Sequence, residues 1–239
     1  PMVNEAAGMF ESAGYIEVKA YEDTKVYQVA PEHRMALDYY KNTIMHAFSQ
    51  EGLLATTLLH AMDPDGKVVR RTVETDCAIL SRLLKYEFIY SPERSFSEAF
   101  EYTWSLFESM GWIESVEGET RIVPGRVDLL RFLKHGVLPF IEAYHLTCRC
   151  SQKLTEPQVE RDFMLAVVAE GNKYFELGEL QLREACSTVT IKNSLRVLRE
   201  LGILKVSKEG RKNMICMAEE EDNTLLSNFA NQLSGWSKA

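Results

Sequence analysis

Apolar positions recur along the chain with two different periods, and the changes of period mark out elements. Residues 4–11 read as the end of a helix stopped by Gly14. Tyr15-Ile16-Glu17-Val18-Lys19 and Lys25-Val26-Tyr27-Gln28-Val29 then alternate as two short strands, with a turn across Glu22-Asp23. Pro31 opens a helical stretch in which Met35, Leu37, Tyr40, Ile44, Phe48, Leu54 and Leu58 suggest one long helix, Met35–His60, ended by the turn Asp63-Pro64-Asp65-Gly66. Two later stretches resemble each other. Phe96–Met110 is a helix stopped by Gly111, followed by a hairpin of 112–116 with 120–123; Ile191–Leu201 is a helix stopped by Gly202, followed by a hairpin of 203–206 with 214–217. Residues 75–84 and 180–185 precede the two units as earlier helices would. Between the units, Val127–Leu146 is a long helix that Pro139 should bend or restart. The expected fold class is therefore mainly α with small β-hairpins, as two winged-helix-like units joined by long helices. The expected division is 1–30, the tail of a preceding domain with its hairpin; 31–150, a helical region with the first unit; and 151–239, the second unit.

Composition narrows the class of protein. With 239 residues, 46% of them hydrophobic, the chain can bury one large core or two modest ones. No apolar stretch approaches the roughly 20 residues of a spanning helix. The opening Pro1-Met2-Val3-Asn4-Glu5 has neither a basic head nor an apolar signal core, and reads as a cut inside a longer chain. Five cysteines, an odd number without secreted-scaffold spacing, fit free thiols in a reducing, intracellular compartment. A net charge of −8 argues against nucleic acid as the main partner. Locally the picture splits. Residues 192–212 carry seven basic residues against two acidic ones, with Lys192, Arg196 and Arg199 on one helical face; residues 96–123 carry six Glu against Arg121 alone. Opposite local charges suit docking onto protein, or in the basic unit an anionic membrane surface contacted by Lys192, Arg196 and Arg199. The alternative, a tandem winged-helix DNA-binding regulator, accounts for the basic unit and leaves the acidic one unexplained.

Catalytic chemistry is sparse. His33 and Asp38 have the His-x₄-Asp spacing in which His serves as general base and Asp orients it. Such a pair recurs by chance, and no Gly-Arg-rich segment follows to hold a phosphate, so no catalytic residue is assigned. His145, Cys148 and Cys150 offer three soft ligands without a second cluster; buried structural thiols are the simpler reading, and no metal site is assigned. Phosphate-cradling loop, nucleophile elbow and dinucleotide fingerprint are all missing. Asn42 and His46 lie one helical turn apart, as a ligand-holding pair or a packing anchor would.

The run Tyr39-Tyr40-Lys41-Asn42-Thr43-Ile44-Met45-His46 resembles the Tyr-Tyr-(Arg/Lys)-Asn-x-x-x-His segment that follows the catalytic domain of membrane-associated glycerol-3-phosphate 1-O-acyltransferases, a family that includes dihydroxyacetone-phosphate acyltransferases. The preceding hairpin, the run Leu138–Tyr144 and the run Ile191–Gly202 resemble the same C-terminal region, in the same order. The resemblance implies that the catalytic His-x₄-Asp and the phosphate-binding motifs lie upstream, and that His33 and Asp38 fall where the family has no catalytic role. It further implies that the full enzyme takes acyl-CoA or acyl-carrier protein as donor, needs no cofactor, and sits peripherally at a membrane. On that reading the partner of this region is the upstream acyltransferase domain, with Tyr40, Asn42 and His46 facing it. The ending Trp236-Ser237-Lys238-Ala239 departs from the peroxisomal Ser-Lys-Leu.

Overall fold

A computed structural model describes residues 2–21, 24–33, 37, 45–90, 93–116, 118–218 and 222–239. The chain forms two compact bodies, Pro1–Ala47 and Phe48–Ala239.

In the first body, α1 (Met2–Ser12) ends at Gly14, whose φ of 75° turns the chain. The amide of Tyr15 donates to the Phe10 carbonyl at 2.9 Å, and its ring meets Phe10 and His33 edge-on. β1 (Ile16–Tyr21) and β2 (Thr24–Val29) pair antiparallel from Ile16↔Val29 to Tyr21↔Thr24. The expected turn residues Glu22 and Asp23 lie outside the described residues, and the register closes on either side of them. Pro31–His33 is one 3₁₀ turn.

The long helix expected over Met35–His60 is not continuous. His46 and Ala47 form a turn, Phe48 a bend, and α2 starts afresh at Ser49 and runs to Ala61. The physical reason is phase. Along the sequence Leu37, Tyr40, Ile44 and Phe48 step by three or four residues, but Phe48 to Leu54 is six, about one and two-thirds turns, so one continuous helix would put the two apolar series on different faces.

In the second body α2 is buried almost all round, with Leu53, Leu54, Ala55, Leu58 and Leu59 in the core. Its buried Thr56 and Thr57 keep their hydroxyls satisfied by donating back to Gly52 O at 2.7 Å and Leu53 O at 3.2 Å. Asp63 ends the following turn by accepting from the amides of Asp65 and Lys67. β3 (Lys67–Val68) and α3 (Arg70–Leu83) come next. A Ser95/Glu98 capping box then opens α4 (Phe96–Ser109), which stops at Gly111, φ 64°, before the hairpin of β4 (Ile113–Val116) and β5 (Glu119–Ile122). α5 (Val127–Ser151) is one helix, so Pro139 does not start another, and it extends five residues beyond the expected end.

The second unit repeats the order. β6 (Gln158–Val159) and α6 (Glu160–Glu176) precede α7 (Thr188–Glu200), which stops at Gly202, φ 77°, before the hairpin of β7 (Leu204–Glu209) and β8 (Lys212–Met217). The expected helix at 180–185 is only a 3₁₀ turn, Arg183–Cys186, because the preceding helical turns are spent in α6. In each unit the two-residue strand pairs with the second strand of the hairpin, giving the orders β3-β5-β4 and β6-β8-β7. α8 (Asp222–Lys238) follows. α5 is the centre of this body: α2, α7 and α8 all pack on it.

Candidate functional site

Two of the family-like runs, on α5 and α7, meet at the loop that follows α3. Phe140 of α5 packs edge-on against Phe88 of this loop, with ring centroids 5.0 Å apart. One turn further along α5, Tyr144 donates its hydroxyl to Glu87 Oε1 at 2.9 Å. From α7, Asn193 donates to the Tyr86 carbonyl at 3.4 Å. Ser194 Oγ lies 2.7 Å from Thr147 Oγ1, in the buried seam between the two helices. Burial pushes the Glu87 carboxyl up to about 7, against the opposing hydrogen bonds from Tyr144 and Asn193. Burial, then the neighbouring Glu87 charge, raises the Tyr144 phenol.

The outer face of the same junction carries the charges. Arg196 stacks its guanidinium 3.9 Å from the centre of the Tyr86 ring and reaches Glu200 at 3.3 Å. Glu200 also takes Lys85 at 2.5 Å and the Tyr86 hydroxyl, and hydrogen bonds from these two groups hold its carboxyl down to about 2. Arg199 pairs with Glu160 at 2.8 Å, and Asn213 donates to the same carboxylate at 3.2 Å. Lys192 is exposed and has no ion pair among the described residues. A cleft of about 150 Å³ opens here between α3, α7 and α8, lined by Ile79, Leu83, Lys85, Val197, Glu200 and Phe229. Its lining holds no histidine, serine or cysteine, and its one carboxylate is the ion-paired Glu200. Two of the three basic residues of the α7 face are thus engaged within the chain.

A second buried polar cluster is also built on α5. Glu142, 1% exposed, accepts from the amides of Gln181 at 2.9 Å and Leu182 at 3.1 Å, and its carboxyl is raised, chiefly by burial. Lys134, two turns away, donates to the carbonyls of Ser237, at 2.8 Å, and Ala239, completing the last turn of α8. Burial lowers the Lys134 ammonium. Sequence reading passed over Glu87, Lys134 and Glu142 as site residues; for the last two, the signal is a charge embedded in the apolar face of a long helix.

Tyr40, Asn42 and Asp38 lie outside the described residues. His46 is exposed in the turn at the end of the first body, and His33 packs on Tyr15 there. His145 is pushed down to about 4 by burial and the nearby Arg149 and Lys238 charges. Cys148 and Cys150 are buried thiols, raised by that burial to about 12 and about 11, far from the thiolate a metal needs. Among the described residues no three His, Cys, Asp or Glu come together to hold a metal ion. No described helix is long and apolar enough to cross a membrane.

The sum is a packed junction of two helices and a loop, and known proteins give it a context. The chain is similar to the dihydroxyacetone phosphate acyltransferase of Mus musculus, 24% identical over 184 residues that make up 75% of this chain and 26% of that protein. It is also similar to the protein named "Putative acyltransferase plsB1" of Mycobacterium bovis and of Mycobacterium tuberculosis, 25% identical over 182 residues, 72% of this chain and 28% of theirs. The chain spans about a quarter of the length of these curated relatives. Residues 1–207, which include the hairpin and all three family-like runs, match one family throughout. The chain belongs to the family of the glycerol-3-phosphate acyltransferase C-terminal region.

Proposed function

We propose that this chain is the non-catalytic C-terminal portion of an acyltransferase that moves a fatty acyl group from a thioester carrier to the first hydroxyl of glycerol 3-phosphate or its dihydroxyacetone counterpart. Its task is to support the acyltransferase domain ahead of it, in an enzyme working peripherally at a membrane. One observation carries this reading: the family-like residues are consumed in packing. Tyr144 and Asn193 are spent on a carboxylate and a backbone carbonyl of the chain's own loop, and the one carboxylate lining the cleft beside them, Glu200, is held by Lys85 and Arg196. The two helix–glycine–hairpin units serve as winged-helix-like packing modules, the first against α2 and the second against α5. The engagement of Arg196 and Arg199 with Tyr86, Glu200 and Glu160 favours this over reading of phosphate by the α7 face. Tyr40, Asn42 and His46 face the catalytic domain, so His46→Ala in the full-length enzyme is expected to lower thermal stability and activity together.

The test is acyl transfer from labelled acyl-CoA to glycerol 3-phosphate and, separately, to dihydroxyacetone phosphate, for this chain and for the longest form of the gene product. Transfer by the long form and none by this chain is expected. Transfer by this chain alone would overturn the reading and restore His33 and Asp38 as candidates.

A further inference from the structure

The β1–β2 hairpin is built for burial that the described residues do not supply. Its register places Ile16, Val18, Ala20, Tyr27 and Val29, with Lys25 at the end, on one face, and Glu17, Lys19, Thr24 and Gln28, with Tyr21 and Val26, on the other, where Lys19 donates to Gln28 at 2.9 Å. One face is thus mainly apolar and the other mainly polar, the bias of a sheet resting on a core. Yet β2 is exposed at five of its six positions, and Tyr27 is 45% exposed on the apolar face. α1 packs back on β1, whereas β2 has β1 as its one strand neighbour among the described residues. A lone two-stranded ribbon is marginal in water, and an apolar one with an open edge invites another strand.

We infer that the hairpin is the margin of a larger antiparallel sheet: the outer edge of β2 pairs with a strand of the acyltransferase domain ahead of it, and that domain covers Val18, Tyr27 and Val29. The inference rests on the reading of the chain as the C-terminal portion of such an enzyme. Two facts argue for that occupant over a second copy or an unrelated partner. The matched relatives extend to about four times the matched length, and the hairpin belongs to the compact body nearest the start of the chain.

In an antiparallel ribbon alternate amides of β2 point away from β1, so residue-resolved hydrogen exchange reads the pairing directly. In residues 1–239 the outward amides of β2 are expected to exchange as fast as those of an open edge; in the full-length protein they are expected to slow by roughly tenfold or more, to the range of paired strands. Equal rates in the two proteins would overturn the inference. In the full-length protein, Tyr27→Glu is expected to restore fast exchange and Gln28→Glu to leave it slow. The same response from both substitutions would show that no face is selectively covered, and would likewise overturn it. The two proposals fail separately. A long form that lacks acyl transfer removes the enzyme assignment while the exchange result still stands or falls alone; an active long form with unchanged β2 exchange removes only the sheet.

Discussion

Glu87 sets the most accessible test at the level of single side chains. Burial pushes its carboxyl up to about 7 from the ordinary 4.5 of an exposed glutamate, so between those values the folded state binds the extra proton. The stability it contributes is complete below about pH 4.5 and is lost as pH rises through 7, on the order of 3 to 4 kcal/mol in all. Glu87→Gln keeps an acceptor for Tyr144 and removes the charge. Urea unfolding of this variant at pH 5 to 8 is expected to lose that slope and to exceed the parent at pH 8. The cysteines give a second readout. Cys77, Cys148 and Cys150 are buried thiols held at about 11 to 12, while Cys186 and Cys216 are half-exposed. Of the five, no more than these two are expected to react with a maleimide at pH 7.5 in the native chain, and all five after denaturation.

Among the helices, glycine has opposite meanings at different places. A Cβ on Gly171 of α6 would stand 2.5 Å from Leu146 Cδ2 and 2.9 Å from Cys186 Sγ, whereas one on Gly8 of α1 would meet nothing within 4 Å. Gly171→Ala is expected to cost about 1–3 kcal/mol, more than the helix propensity it gains; Gly8→Ala should steady α1 by about 0.5–1 kcal/mol. Thermal melting followed by circular dichroism checks both. Gly171 also shows why α6 was not legible in the sequence. Phe163, Val167, Gly171 and Tyr174 form its buried stripe, and with a hydrogen at one of four positions the period is broken. α8 carries the stripe Leu226, Ala230, Leu233 and Trp236 in a run otherwise rich in Asn, Gln and Ser, so its mean polarity hides it. The hairpins were legible because their signals are local: Gly111 and Gly202 stop helices, and Gly118 and Gly210 adopt the positive φ of turn positions. β3 and β6, two residues each, are created by the strand they join and have no signature of their own. The Glu87–Tyr144–Asn193 meeting was unreadable for a related reason, since its members are 57 and 106 residues apart and only packing brings them together.

For the whole molecule, the second body carries its own core, and residues 48–239 expressed alone are expected to fold with cooperative unfolding. Within it the Lys134 contacts to the Ser237 and Ala239 carbonyls tie α8 to α5, and Lys134→Met should cost about 1–3 kcal/mol and release α8 to proteolysis first. The position of α8 reaches beyond stability. Leu226, Leu233 and Trp236 are buried by helices that include α2, more than 160 residues earlier in the chain, with the Trp236 ring edge-on to His60 at 6.4 Å. During synthesis, therefore, the end of α2 at His60 and the face of α5 that receives α8 stay uncovered until nearly the whole body has emerged from the ribosome, and the nascent chain must keep an adhesive surface waiting for α8.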